Sequence, residues 1–203
     1  MLRYDEADLV RRLAAMPKPA RVMFAAACAE RLQPLYQRFH DLTGQGDPDS
    51  LAATLEAVWR VVLAGQDQEG LAQRQGLAEE LVPDEDDDSW TPESAYGQHG
   101  AAAVAYAVRT WLADNPAEAG WAARQVYEAA DYAAQQGQPE LDLNAPDAEQ
   151  EVLAQPVVQE ALAGLAADLA AIDRADREPA GVAARLREQA HDGGERLARL
   201  AIP

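Results

Sequence analysis

The amino-acid sequence predicts an all-α protein, a single-domain orthogonal or up-down multi-helix bundle of about eight or nine helices. Three observations predict it. Ala, the strongest helix former, fills about a fifth of the chain. Long runs of Val, Ile and Thr, which build strands, are absent. Apolar residues recur at helical spacing between Asp-Pro or Asn-Pro starts and Gly stops. With 203 residues, 48% of them apolar, the chain can bury a core and reads as one domain over 1–203.

The elements follow in order. Leu9, Val10 and Leu13 form one apolar stripe, predicting a first helix from Asp5 to Met16, ended by Pro17 and Pro19. Phe24, Cys28, Leu32, Leu35, Tyr36 and Phe39 share a face of a second helix, Ala20 to Thr43. Pro34 lies inside it and cannot donate to the carbonyl of Glu30, so a kink is expected there. Gly44 is the expected C-cap. Asp47-Pro48 is a cap followed by a first-turn proline. The third helix it opens carries Leu51, Leu55, Val58, Trp59 and Val62 on one stripe and closes at Gly65. A less apolar helix is expected from Glu69 to Leu81, then an acidic loop over residues 83–89.

Glu93 to Ala113 reads as the next helix. Asn115-Pro116 repeats the cap-plus-proline start, for a helix ending at Gln136 before Gly137-Gln138-Pro139. A polar connection leads to a short helix, Asp147 to Ala154. Beyond Pro156, the residues Val158, Leu162, Leu165, Leu169 and Ile172 are spaced 4, 3, 4, 3, the seam of a bundle helix. A last helical stretch, Pro179 to Leu200, is expected to break at Gly193-Gly194.

Charge narrows the partners. The formal net charge is −18. Residues 81–178 hold 20 Asp/Glu against 4 Lys/Arg, so almost all of the excess lies there. Such a field repels nucleic acid and anionic membrane and attracts a cationic protein surface. A solubilising role for the same acids is the plainer reading. Cys28 is the single cysteine, so no intramolecular disulfide forms and nothing suggests export. The segment Met1–Glu6 has no apolar core of signal-peptide length, and no apolar stretch reaches the ~18 residues of a membrane span. The expected location is the cytoplasm.

Catalytic signatures are wanting. Gly44-Gln45-Gly46 lacks the third glycine and the preceding strand of a dinucleotide fingerprint, and reads as a helix junction. Glu188 and His191 form one Glu-x-x-His pair, where a di-iron bundle needs two. No metal site and no cofactor is expected. Ser50, Ser89 and Ser94 sit at or beside helix starts, where serine caps. Cys28, on an apolar face, reads as a structural thiol. Trp59, Trp111 and Trp121 read as core. Asp84, Glu85, Asp86, Asp87 and Asp88 lack the alternation and central Gly of a calcium loop. They read as a solvated loop or as an anchor for a basic partner. Trp90 beside them either pins the loop or completes a contact surface for arginine-rich partners.

Residues 22–64 also carry a resemblance. Phe24-Ala25-Ala26-Ala27-Cys28-Ala29-Glu30-Arg31-Leu32-Gln33-Pro34-Leu35-Tyr36 precedes Phe39, Thr43-Gly44-Gln45-Gly46-Asp47, Leu55 and Trp59. This resembles the YjaG-like family, the bacterial domain of unknown function 416, with its Cys-x-Glu-Arg-x-x-Pro-x-Tyr segment, its Thr-Gly-x-Gly-Asp turn and a Trp-bearing helix. Leu81-Val82-Pro83 with the acidic loop, and Asn144 to Glu160, extend the likeness over nearly the whole chain. The loop is more acidic than the family pattern. The resemblance implies one all-helical domain and brings no activity.

Together these readings predict a non-enzymatic protein-binding module, of the kind an immunity protein represents when it neutralises a basic toxin. Asp84, Glu85, Asp86, Asp87, Asp88 and Trp90 are its expected contact residues. The alternative is a housekeeping helical protein, a homodimer through a spare apolar helix face. An enzyme with an unfamiliar carboxylate site stands third.

Overall fold

A computed structural model of the chain describes residues 1–65, 70–174 and 179–202, the side chains of residues 179 and 180 excepted. Nine helices and no strand occur among them. They are α1 (Glu6–Ala14), α2 (Lys18–Thr43), α3 (Pro48–Ala64), α4 (Leu71–Glu80), α5 (Ser94–Ala113), α6 (Pro116–Gln136), α7 (Ala148–Leu153), α8 (Pro156–Asp173) and α9 (Pro179–Ala201). Glu69, the expected start of the fourth helix, lies outside the described residues.

Local chemistry sets most boundaries. The side chains of Asp5, Asp47 and Asn115 accept hydrogen bonds from the first-turn amides of α1, α3 and α6. Pro48, Pro116 and Pro156 occupy first-turn positions, where a missing N–H costs nothing. Gly44 and Gly65 adopt φ of 71° and 67° and close α2 and α3, their N–H groups donating hydrogen bonds to the His40 and Val61 carbonyls. Pro17 caps α2, and Pro19 falls in its first turn rather than in the preceding turn.

Helix α2 is the axis of the molecule. Its 26 residues pack against α3, α5, α6, α8 and α9. Every residue from Val22 to Leu32 is buried, so the helix is covered on all sides rather than on one stripe. Ala25, Ala26, Ala27 and Ala29 let neighbouring helices approach closely. Two further glycines serve the same end: a Cβ at Gly97 would stand 2.6 Å from the Phe39 ring, and one at Gly100 3.0 Å from Tyr36 Cβ. The helix continues through Pro34, which is buried against α9.

Two expectations are corrected. Helix α9 does not break at Gly193-Gly194; it runs unbroken from Pro179 to Ala201. A Cβ at Gly193 would collide with the Arg31 guanidinium, and one at Gly194 with the backbone carbonyl of Arg31. The glycine pair is there so that α9 can lie on α2, and that packing overrides the low helix propensity of glycine. Trp121 is half-buried rather than core. It lies in the second turn of α6, its ring tilted 5.7 Å from that of Tyr106, with the Arg109 guanidinium over both.

Candidate functional site

The acidic loop stands between α4 and α5. Asp84, Glu85, Asp86, Asp87 and Asp88 are all exposed. Two of them fold the loop on itself: Asp84 accepts from the Asp86 amide at 3.0 Å, and Asp87 from the Ser89 amide at 2.8 Å. Hydrogen bonds from the Ser89 side chain and backbone hold the Asp87 carboxyl below its usual range. Glu85 accepts from Gln98 of α5 at 3.2 Å, and Gln45, just past α2, donates to the Ser89 carbonyl at 2.9 Å. Trp90 is half-buried, its amide donating to the Asp87 carbonyl at 2.9 Å. None of the five acids is in an ion pair among the described residues.

A different arrangement sits at the middle of α2. Glu30 and Arg31 are adjacent in sequence, so they leave the helix about 100° apart, and each is met by another helix. Arg31, 1% exposed, points between α8 and α9. Its Nη2 donates to Asp168 Oδ2 at 2.6 Å, and Gln189 donates to the other Asp168 oxygen at 3.2 Å. Burial pushes the Asp168 carboxyl up, and the Arg31 guanidinium and Gln189 amide pull it back. Space for the guanidinium comes from glycine: a Cβ at Gly164 would stand 2.6 Å from Arg31 Cζ.

Glu30, 7% exposed, turns towards α3 and α9. Its Oε2 accepts from Trp59 Nε1 at 2.9 Å and from Arg187 Nε at 3.2 Å. Arg187 Nη1 also donates to Glu56 at 2.7 Å. Burial pulls the Arg187 guanidinium down, but the Glu56 and Glu30 carboxylates outweigh it and raise it above its ordinary value. His191 stands one turn beyond Arg187, its Nδ1 4.0 Å from Glu30 Oε1. These groups border a cleft of about 580 Å³ lined by Glu30, Trp59, Leu63, Ala183, Ala184, Arg187, Glu188 and His191. Glu188 and His191, the Glu-x-x-His pair, thus share the cleft with Glu30. Among the described residues no three His, Cys, Asp or Glu side chains gather as metal ligands do.

The cleft and the acidic loop are separate. Helix α2 continues for 13 residues past Glu30 to Thr43, about 20 Å of helix, before the chain reaches the loop's neighbour Gln45.

The remaining motif residues are structural. Cys28 is fully buried, and burial pushes its thiol well above the usual range. Tyr36 Oη accepts from the Asp47 amide at 3.2 Å, and a Cβ at Gly46 would meet that hydroxyl at 2.5 Å. The glycine turn is therefore fitted to Tyr36. Cys28, Glu30, Arg31, Pro34, Tyr36, Gly46 and Trp59 thus all sit on or around one face-rich helix, which is the pattern a shared fold imposes.

Residues 8–196 match the family described as protein of unknown function, DUF416. The chain belongs to that family. A crystal structure of a DUF416 family protein from Shewanella baltica OS155, at 1.91 Å resolution, superposes with a TM-score of 0.76. It is 19% identical in sequence, and the match covers 90% of this chain and 93% of that one. At that identity the likeness concerns the fold. No curated protein matches the chain significantly.

Sequence reasoning missed Glu56, Asp168, Gln189 and Arg187 as members of any site, and quoted Glu30 and Arg31 only as motif letters. A signal was present. An adjacent acid and base inside the run Val22–Leu32, otherwise free of charge, cannot both reach solvent if the run is buried on every side. The exposed leucines Leu42, Leu63, Leu77, Leu112 and Leu200 come one each from α2, α3, α4, α5 and α9. No described helix presents a row of them as a spare apolar face.

Proposed function

We propose that this DUF416 protein is a non-enzymatic binding module for a cationic protein surface. One observation carries the reading: most described arginines are in ion pairs, while two clusters of carboxylates are in none. Ten arginines of the described residues lie within ion-pair distance of a carboxylate. Asp84, Glu85, Asp86, Asp87 and Asp88 have no such partner there, nor do Glu140, Asp142, Asp147, Glu149 and Glu151 along the connection into α7. The uncompensated field steers a basic partner and speeds its encounter. Trp90 stands half-buried beside the loop, and an arginine bound there would stack on the face of its ring. A basic toxin met by an immunity-type protein has the matching chemistry. The candidate nucleophiles also favour a non-catalytic role: Cys28 is enclosed, Ser50 Oγ donates to Asp47 at 2.6 Å, and Ser94 Oγ accepts from the Thr91 amide at 3.1 Å.

The test replaces Asp84, Asp86, Asp87 and Asp88 with Asn and Glu85 with Gln. The partner is first recovered from native lysate at low salt. The variant should associate about tenfold more slowly with it, and the rate should depend less on salt. An unchanged rate and an unchanged salt slope overturn the assignment of the loop.

A further inference from the structure

The cleft between α2, α3 and α9 is concave, and its 580 Å³ or so falls within the usual range of small-molecule sites. Trp59, Leu63, Ala183 and Ala184 make much of its wall apolar. Glu30 supplies its most buried charged group. Oε2 of that carboxylate is occupied by Trp59 and Arg187. Oε1 accepts no hydrogen bond from any described residue, and the nearest basic group, His191 Nδ1, stands 4.0 Å away. A carboxylate oxygen can accept two hydrogen bonds, and this one opens into the cleft with its acceptor capacity unused by the protein.

We propose that this cleft binds a small organic ammonium ion carried on an apolar body, its N–H donating to Glu30 Oε1. Three features choose that chemistry. Charge comes first. Glu30 and Glu188 line the cleft beside one guanidinium, that of Arg187, which Glu56 also holds, so carboxylates outnumber guanidinium groups there and disfavour anions. Geometry comes second. A guanidinium binds best through both carboxylate oxygens, and Oε2 is already taken, whereas an ammonium needs one acceptor. Volume comes third. A lysine side chain from a protein partner would leave most of the cleft empty, while a ring or branched chain fills it. The site is independent of the acidic loop and of the reading given to that loop.

The protein is titrated with 2-phenylethylammonium, cyclohexylmethylammonium and hexylammonium, followed by calorimetry and by tryptophan fluorescence, the Trp59→Phe variant identifying the signal from the cleft. The neutral 2-phenylethanol and the anionic 3-phenylpropionate serve as matched controls. At least one ammonium probe should bind one to one, about tenfold or more tightly than its neutral analogue, because a hydrogen bond to a charged group is at stake. Glu30→Gln should abolish that preference. Should Glu30→Gln fail to fold, Ala184→Phe, at an exposed position on the cleft wall, should block binding without touching the core. The loop variant with residues 84–88 neutralised should bind the probe unchanged. Equal binding of the ammonium and the alcohol overturns the proposal. So does binding that Ala184→Phe leaves intact, or no binding by any of the three ammonium probes.

Discussion

The acidic loop and the middle of α2 use charge in opposite ways. Between α4 and α5, five consecutive carboxylates face water, and two of them, Asp84 and Asp87, accept from backbone amides of their own loop. In α2, two adjacent charges are enclosed and each is hydrogen-bonded by side chains from other helices, α8 for Arg31 and α3 and α9 for Glu30. The loop dominates any count of charge along the sequence. The α2 pair bears more on the packing, because water screens the first set and is kept from the Arg31–Asp168 contact of the second. Where a charge sits matters more to the fold than how many there are.

The comparison can be broken most directly at Asp168. Asp168→Ala leaves the Arg31 guanidinium buried without its counter-charge, and should lower the unfolding free energy measured by denaturant titration by about 3–5 kcal/mol. A loss under about 1 kcal/mol would show that water reaches Arg31 and that the two regions are alike.

Next in size is Gly194→Ala. It raises helix propensity, yet places a methyl against the Arg31 carbonyl, so it should destabilise by about 1–3 kcal/mol. Gly76→Ala is its control. Gly76 lies within α4 with nothing within 4 Å of a Cβ, and the substitution should stabilise by up to about 1 kcal/mol. If both alanines act alike, close packing is not what α9 requires of its glycines.

Alkaline titration sharpens the contrast through groups that are neutral at pH 7. Burial pushes the Tyr96 hydroxyl up to about 12, with Tyr132 and Glu93 adding to it, and raises Tyr4, Tyr36, Tyr127 and Tyr132 as well. A folded-state value above the unfolded one means the folded chain holds the proton longer. Stability from these groups is complete below pH about 10 and falls as pH rises from 10 towards 12. Helical circular dichroism should be flat to about pH 10 and decline beyond it. A flat profile to pH 12 would mean the tyrosines ionise without cost to the fold.

The smallest effect on stability belongs to the loop. Neutralising residues 84–88 should move the unfolding free energy by less than about 0.5 kcal/mol, since exposed charges contribute little. Its effect should appear in association kinetics instead. A large stability change would make the loop a structural element.

By itself the sequence determined the helical class, nearly every helix boundary and the family. Asp47-Pro48, Asn115-Pro116, Gly44 and Gly65 act within one turn of themselves, so their meaning is readable from neighbours alone. The spacing of Val158, Leu162, Leu165, Leu169 and Ile172 likewise names its buried face, and all five are buried. Only the tertiary structure decided that α2 is enclosed on every side, that Gly193-Gly194 continues a helix, and that Glu30 meets Trp59, Arg187 and His191. Those facts join residues up to 163 positions apart in sequence, as Arg31 and Gly194 are. Periodicity reports which face of a helix is apolar. Which partner lies across that face, and whether it leaves a cleft, follows from how the helices pack.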